Sequence, residues 1–226
     1  VEGDSALGSC KMGRDAEFQA IIPVRGKILN CLKADYEAIF KNEIIVDLIK
    51  VLGCGVEIHS RHNKDLSSFD LDGLRWSKVI ICTDADVDGY QIRTLILAML
   101  YRLTPTLLDR EKIFIAESPL FEITQRIKRE EKTFFAYTER EKSELLAKLG
   151  ADRCTIQRSK GLGENEPEMM WLTTMNPETR RLIQVMPDKA EDMLETFDLL
   201  LGDNLAGRKS FIEQNGHKYL DNLDVG

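Results

Sequence analysis

The 226-residue chain has no surplus of positive charge: 31 lysines and arginines face 38 aspartates and glutamates, a formal net charge of −7. A free-standing nucleic-acid binder is usually strongly basic, so any such contact is confined to a local patch or needs help from cations. Long hydrophobic runs are missing too. The longest candidate, Ile92 to Leu100, is broken by Arg93 and Thr94, short of the roughly 18–20 apolar residues of a membrane helix. The five cysteines, Cys10, Cys31, Cys54, Cys82 and Cys154, form no CxxC pair. They argue against a disulfide framework and for a reduced, cytoplasmic setting. Cys54 stands near His59 and His62, but a structural zinc site wants four ligands, and the stretch reads as a polar loop. The first residues, Val1-Glu2-Gly3-Asp4, hold neither a basic nor an apolar leader, so no signal peptide is expected. The absence of an initiator methionine suggests a piece of a longer protein.

What the chain does have is a globular balance, 43% hydrophobic and 31% charged residues, which excludes disorder along the whole length. At roughly 100–200 residues per domain it fits one large domain or two small ones. Residues 1–120 alternate helix and strand signals. Helices are expected at Ser5–Met12, Lys33–Phe40 and Glu43–Leu52, and a strand at Gln19–Val24. Lys78–Thr83 and Lys112–Ala116 are continuous apolar runs, the pattern of parallel strands buried on both faces. Between them Ile92, Leu95, Ile96, Met99, Leu100 and Leu103 repeat with the period of one helix face. Strand, helix, strand in this order implies a right-handed crossover and an α/β sheet. Residues 121–226 have a different texture. They read as a hairpin (Phe121–Thr124 with Thr133–Tyr137), a helix at Glu139–Leu149, a strand at Cys154–Arg158, and helices at Pro167–Thr173, Lys189–Leu201 and Arg208–Asn215. The expected division is therefore 1–120 and 121–226, the second part a smaller α+β region.

Chemistry concentrates in Asp84-Ala85-Asp86-Val87-Asp88-Gly89. Three aspartates alternate just after a buried strand and before a helix, and ligands bind at the carboxyl ends of such strands. Two hard carboxylates there suit an oxygen-ligated cation that keeps its waters, which points to Mg²⁺. A solvated acidic turn with Asp88 as helix N-cap also fits. A calcium loop does not, because its twelfth position would be Leu95 rather than a glutamate. A second acidic turn, Glu2-Gly3-Asp4-Ser5-Ala6, reads alone as a cap by Asp4 or Ser5. Taken with the aspartates, it brings a glutamate to a divalent-metal site for phosphoryl transfer.

A glutamate followed far downstream by DxDxD resembles the signature of the TOPRIM fold of topoisomerases, primases and some nucleases. The flanks EGDSA (2–6), GRD (13–15), FQAIIPVRGKILN (18–30), TDADVDG (83–89), KGLGE (160–164) and TTMNPETR (173–180) are similar, in the same order, to the B subunits of bacterial type IIA topoisomerases, DNA gyrase and its topoisomerase IV relative. That resemblance implies a Rossmann-like parallel sheet flanked by helices. It implies Glu2, Asp84 and Asp86 as Mg²⁺ ligands, with Asp88 close by and Mn²⁺ or Ca²⁺ as substitutes, and Glu2 also in acid–base exchange. It places Lys27 at the DNA backbone as a catalytic residue, with Lys11, Arg14, Arg25 and Lys160 as further DNA contacts. Asp4 and Lys27 would border an inhibitor pocket. The partners implied are double-stranded DNA and an A subunit whose tyrosine attacks the phosphodiester, in an A2B2 heterotetramer. ATP would be hydrolysed in a part of the subunit that this chain does not contain, since no Walker A motif is present, and the chain alone would be inactive. Leu7 stands where the family has a second glycine, and Tyr90-Gln91 where it has a histidine. A TOPRIM nuclease or primase, and a non-catalytic docking module for the A subunit, are the alternatives.

The negative charge is unevenly spread. Residues 9–33 carry Lys11, Arg14, Arg25, Lys27 and Lys33 against Asp15 and Glu17, a local +3. Residues 187–204 carry six acids against Lys189, a local −5. Weak DNA binding by the chain alone, assisted by Mg²⁺ and a basic partner, is the expectation.

Overall fold

Capping residues and the 3.6-residue repeat decide where this chain is helical. The computed structural model describes residues 1–58, 66–127, 130–159, 161–186 and 190–222. In chain order its elements are α1 (Gly3–Gly13), α2 (Tyr36–Lys41), α3 (Glu43–Leu52), β1 (Val79–Ile81), α4 (Val87–Leu103), α5 (Pro105–Asp109), β2 (Ile113–Ala116), β3 (Phe121–Ile127), β4 (Glu130–Ala136), α6 (Glu139–Leu149), β5 (Cys154–Arg158), α7 (Pro167–Met170), β6 (Leu182–Gln184), α8 (Ala190–Leu201) and α9 (Leu205–Asn215). One sheet has the order β1-β2-β6 and a second the order β4-β3-β5, a mixed α/β architecture. No described helix is long and apolar enough to cross a membrane.

The chain divides into two compact units, each assembled from three stretches. The first comprises Val1–Gly26, Ile80–Tyr90 and Ile115–Ile183. Its core gathers Ala6 and Cys10 of α1 with Cys82, Ala116, Leu162, Met170 and Met175. A satellite core lies under the second sheet, where β3 pairs antiparallel with both β4 and β5. Leu145, Leu146 and Leu149 of α6 cover Phe121, Ile123 and Ala136 there. Burying one such side chain is worth roughly 1.5–3 kcal/mol.

The second unit comprises Lys27–Val79, Gln91–Phe114 and Gln184–Gly226. Asp35 accepts from Ala38 N–H and caps α2, and Asn42 accepts from Ile45 N–H and caps α3. Ile39, Ile45 and Ile49 are fully buried. Arg102 donates to the carbonyls of Cys31 and Ala34 and lies over the Tyr36 ring, 4.6 Å from its centroid. The helix starts at Tyr36 and not at Lys33 because Asp35 is extended and its side chain takes the Ala38 N–H that Ala34 O would accept in a longer helix. Tyr101 stacks on Phe197 of α8 at 4.9 Å.

Other elements differ from expectation: α5 and β6 had no expected counterpart, β3 runs on to Ile127 and β4 begins at Glu130, and α9 begins at Leu205 rather than Arg208. Gln19–Val24 is not a strand; its pairing shrinks to a parallel bridge between Glu2 and Val24, because Pro23 has no N–H and the Gln19 side chain is drawn to Met175 O. The helix expected at Pro167–Thr173 is α-helical only to Met170, then widens into a π-helical turn at Trp171–Met175. All five cysteines are free, and burial pushes the Cys10 thiol up to about 12, so these act as small apolar residues. Cys54 is buried; His59 and His62 lie outside the described residues.

In the first unit Arg181 fastens α6. Its Nη1 donates to Glu141 Oε1 at 2.8 Å, and its guanidinium covers the Tyr137 ring at 3.8 Å. Burial pushes the Glu141 carboxyl up, but the Arg181 bond and the Tyr137 N–H together outweigh it and hold the pKa below its ordinary value. A depressed folded-state pKa gives stability that is present above the unfolded value and lost as pH falls through the folded one. Glu141→Gln should therefore cost about 1 kcal/mol at pH 7, a figure discounted for the pair's exposure. The difference should vanish in acid, as read by denaturant melts across the range.

Candidate functional site

Val1–Gly3 runs extended beside Val24: Val24 N–H donates to Val1 O at 2.8 Å and Gly3 N–H to Val24 O at 2.9 Å. The chain then turns at Gly3, whose φ of +76° suits glycine, directly into α1. Glu2 sits at the helix entrance and makes no side-chain cap, contrary to the expected cap by Asp4 or Ser5. Its carboxylate is left for something else. Glu2 Oε2 accepts the backbone N–H of Asp84 at 3.1 Å, joining two acidic segments that lie far apart in sequence.

Asp84 leaves the end of β1, and its Oδ1 accepts from Leu162 N–H at 2.8 Å. The Gly161 backbone lies so close that a Cβ there would stand 2.9 Å from Asp84 Oδ2, and one at Gly163 would stand 2.6 Å from Ser5 Cβ. Ser9 Oγ completes this seam by donating to Gly163 O at 3.2 Å. Asp86 turns the other way: its Oδ1 accepts from Gly89 N–H at 2.7 Å while its carbonyl takes Tyr90 N–H. Asp86, and not Asp88, is thus the cap of α4. Asp88 lies exposed in the first turn of that helix.

The cluster is electrostatically uncomfortable. Burial raises the pKa of Glu2, and repulsion from Asp84, Asp86 and Asp88 adds to it, against the Asp84 N–H bond. Burial likewise raises that of Asp84, with Asp86 and Glu164 adding and the Leu162 N–H opposing. Backbone donors occupy one oxygen each on Glu2 and Asp84. Among the described residues no three His, Cys, Asp or Glu side chains form a ready-made cation cage. Hard oxygens, an unfavourable concentration of negative charge and an open shell suit a cation that keeps several waters, as Mg²⁺ does.

The expected basic residues are distributed differently. Asp4 receives Arg25 Nε on both oxygens, at 3.1 and 3.0 Å, in an exposed pair. The Arg25 hydrogen bond holds the Asp4 carboxyl below the usual range. Arg14 donates to Gln19 O at 2.9 Å. Lys11 is exposed in the last turn of α1. Lys27 is exposed and belongs to the second unit, and Lys160 lies outside the described residues. The backbone of Gly161–Leu162 is the part of the site that sequence reasoning missed. Its signal was the pair of glycines flanking Leu162 in KGLGE, a motif whose expected task was placed on Lys160.

Comparison with known proteins adds two family matches: the Toprim domain over residues 1–118 and the carboxyl terminus of the DNA gyrase B subunit over residues 151–213. The chain is 44% identical over 225 residues to the DNA gyrase B subunit of Thermotoga maritima, covering 100% of this chain and 33% of that protein. It is 43% identical over 229 residues to its counterpart in Thermus thermophilus, covering 100% and 34%. With the DNA topoisomerase 4 B subunit of Bacillus subtilis it shares 41% identity over 215 residues, covering 95% and 31%. The chain spans about a third of the length of the curated relatives it matches.

Proposed function

This chain belongs to the Toprim family, and on that premise we propose that it is the cleavage and religation part of a type IIA topoisomerase B subunit. The observation that carries the reading is the contact between Glu2 and Asp84, with Asp86 and Asp88 beside them. Glu2, Asp84 and Asp86 would hold a divalent cation, with Asp88 close by. When bound there, such a cation supplies polarisation of a DNA phosphate and stabilisation of the departing 3′ oxygen. Glu2 would also exchange a proton with that oxygen. Lys11, Arg14, Arg25, Lys27 and Lys160 are the proposed DNA contacts, and Asp4 and Lys27 the proposed inhibitor contacts. The nucleophile would be a tyrosine of an A subunit in an A2B2 assembly, and ATP would be used in another part of the full-length protein. In this reading the boundary between the Toprim part and the tail falls near residue 120.

The test is cleavage of supercoiled DNA with Mg²⁺, with and without the A subunit. Cleavage only after the A subunit is added is the expected result. Nicking by the chain alone would identify a nuclease instead. Metal binding has its own readout. Glu2→Gln and Asp84→Asn keep an oxygen to accept the same N–H bonds while removing charge that burial disfavours. Each should melt higher than the wild type in EDTA and abolish the rise that Mg²⁺ produces. That rise should be about 2.7 kcal/mol at a hundred times the dissociation constant. Equal Mg²⁺ shifts in wild type and Asp84→Asn would place the cation elsewhere.

A further inference from the structure

Two arginines of the first unit share a hydrogen-bonded network organised by Gln19. Arg14, just past α1, donates through Nη1 to Gln19 O at 2.9 Å. The Gln19 amide is fixed at both atoms: Oε1 accepts from Asp15 N–H at 2.9 Å, and Nε2 donates to Met175 O at 2.6 Å. Met175 O also accepts from Arg180 Nη1 at 3.3 Å. Met175 ends the π-helical turn, a widened geometry frequent at functional sites. The following loop is pinned by Thr179 Oγ1 on Leu172 O at 2.6 Å and Arg180 N–H on Asn176 O at 2.9 Å.

Each guanidinium has five N–H donors and gives one of them to a main-chain carbonyl. Both side chains are half-buried. Among the described residues neither pairs with a carboxylate: Asp15 Oδ1 is turned onto Glu17 N–H at 2.9 Å, and Glu17 and Glu178 stand exposed without reaching them. Burial lowers the Arg180 pKa, as it does for a cation short of an anion. Two forked cations with donors to spare, in a chain of net charge −7, match the geometry of a phosphate group.

We propose that Arg180, held on Met175 O beside the Gln19 amide, is a further contact to the DNA backbone and completes, with Arg14, a clamp for one phosphodiester. The proposal rests on the reading that DNA is the substrate and does not depend on the metal. A contact to phosphate fixes register without reading sequence, so it acts on all duplexes alike and weakens with salt.

The experiment is fluorescence anisotropy of a labelled duplex with the whole chain, in EDTA, over a series of salt concentrations. Arg14→Gln and Arg180→Gln should each weaken binding several-fold and reduce the slope of log K against log salt by about 1. Arg180→Lys should keep the slope and still lose affinity, since it keeps the charge and not the fork. Arg180→Gln with wild-type affinity and slope, in protein with an unchanged melting temperature, overturns the clamp. If Arg180→Gln melts early, Arg180→Lys carries the test, and unchanged affinity there overturns the clamp equally. A wild type that binds no duplex at the lowest salt, with the A subunit added as well as without it, overturns the DNA reading and the clamp with it. Competition by inorganic phosphate at the same concentration as the duplex phosphates would make this a free-phosphate site and overturn the assignment to DNA.

Discussion

Asp84→Ala, reconstituted with an A subunit on supercoiled DNA, should lose cleavage by about 10²–10³-fold, the usual loss when a group stabilising transition-state charge is removed. Asp84 is the hinge of the cluster. Its backbone N–H holds Glu2 and its carboxylate is held by Leu162 N–H, so the alanine variant removes both the charge and the seat of the 161–163 segment. Asp84→Asn separates these effects: it should fold at least as stably as the wild type and still be defective in cleavage. Cleavage at the wild-type rate by Asp84→Asn would mean that the charge is not needed there.

Gly89→Ala should cost about 3 kcal/mol of stability, the upper part of the range for forcing extra volume into a packed position. A Cβ at Gly89 would stand 2.1 Å from Asp84 O and 2.9 Å from Asp84 C, both backbone atoms that no rotamer change can move aside. The methyl would push the end of β1 and disturb the Asp86 cap, whose Oδ1 receives Gly89 N–H at 2.7 Å. The stability loss is read by denaturant melts. A second effect follows from the same displacement: the Mg²⁺-dependent rise in melting temperature should shrink, although no carboxylate has been changed. A Gly89→Ala protein with wild-type stability would contradict the packing described here.

Several elements were legible because local signals agreed with one another. Glu43–Leu52 and Glu139–Leu149 come out with the expected bounds. Each amphipathic run is opened by a capping side chain, Asn42 or Thr138, and stopped by glycine, Gly53 or Gly150. The two apolar runs flanking α4 likewise became β1 and β2. The strand expected at Gln19–Val24 was decided by tertiary demands that periodicity does not encode, namely the pull of Met175 on Gln19 and the missing N–H of Pro23. In the acidic segment the residue types were readable and their roles were not. Three alternating aspartates are all chemically able to cap a helix, and only the start of α4 at Val87 makes Asp86 the one that does. The contact of Glu2 with Asp84 spans most of the Toprim part, and Leu162 contributes a backbone donor, which has no side-chain signature. Sequence motifs therefore pointed to the family and the acids, while the geometry that joins them came from the fold.

The most direct test of the central claim, that Glu2 and Asp84 seat a divalent cation, is a Mn²⁺ titration of the whole chain followed by electron paramagnetic resonance. The wild type should take up an ion that both Glu2→Gln and Asp84→Asn fail to bind, with Mg²⁺ displacing it. The same bound Mn²⁺ in all three proteins would contradict the account.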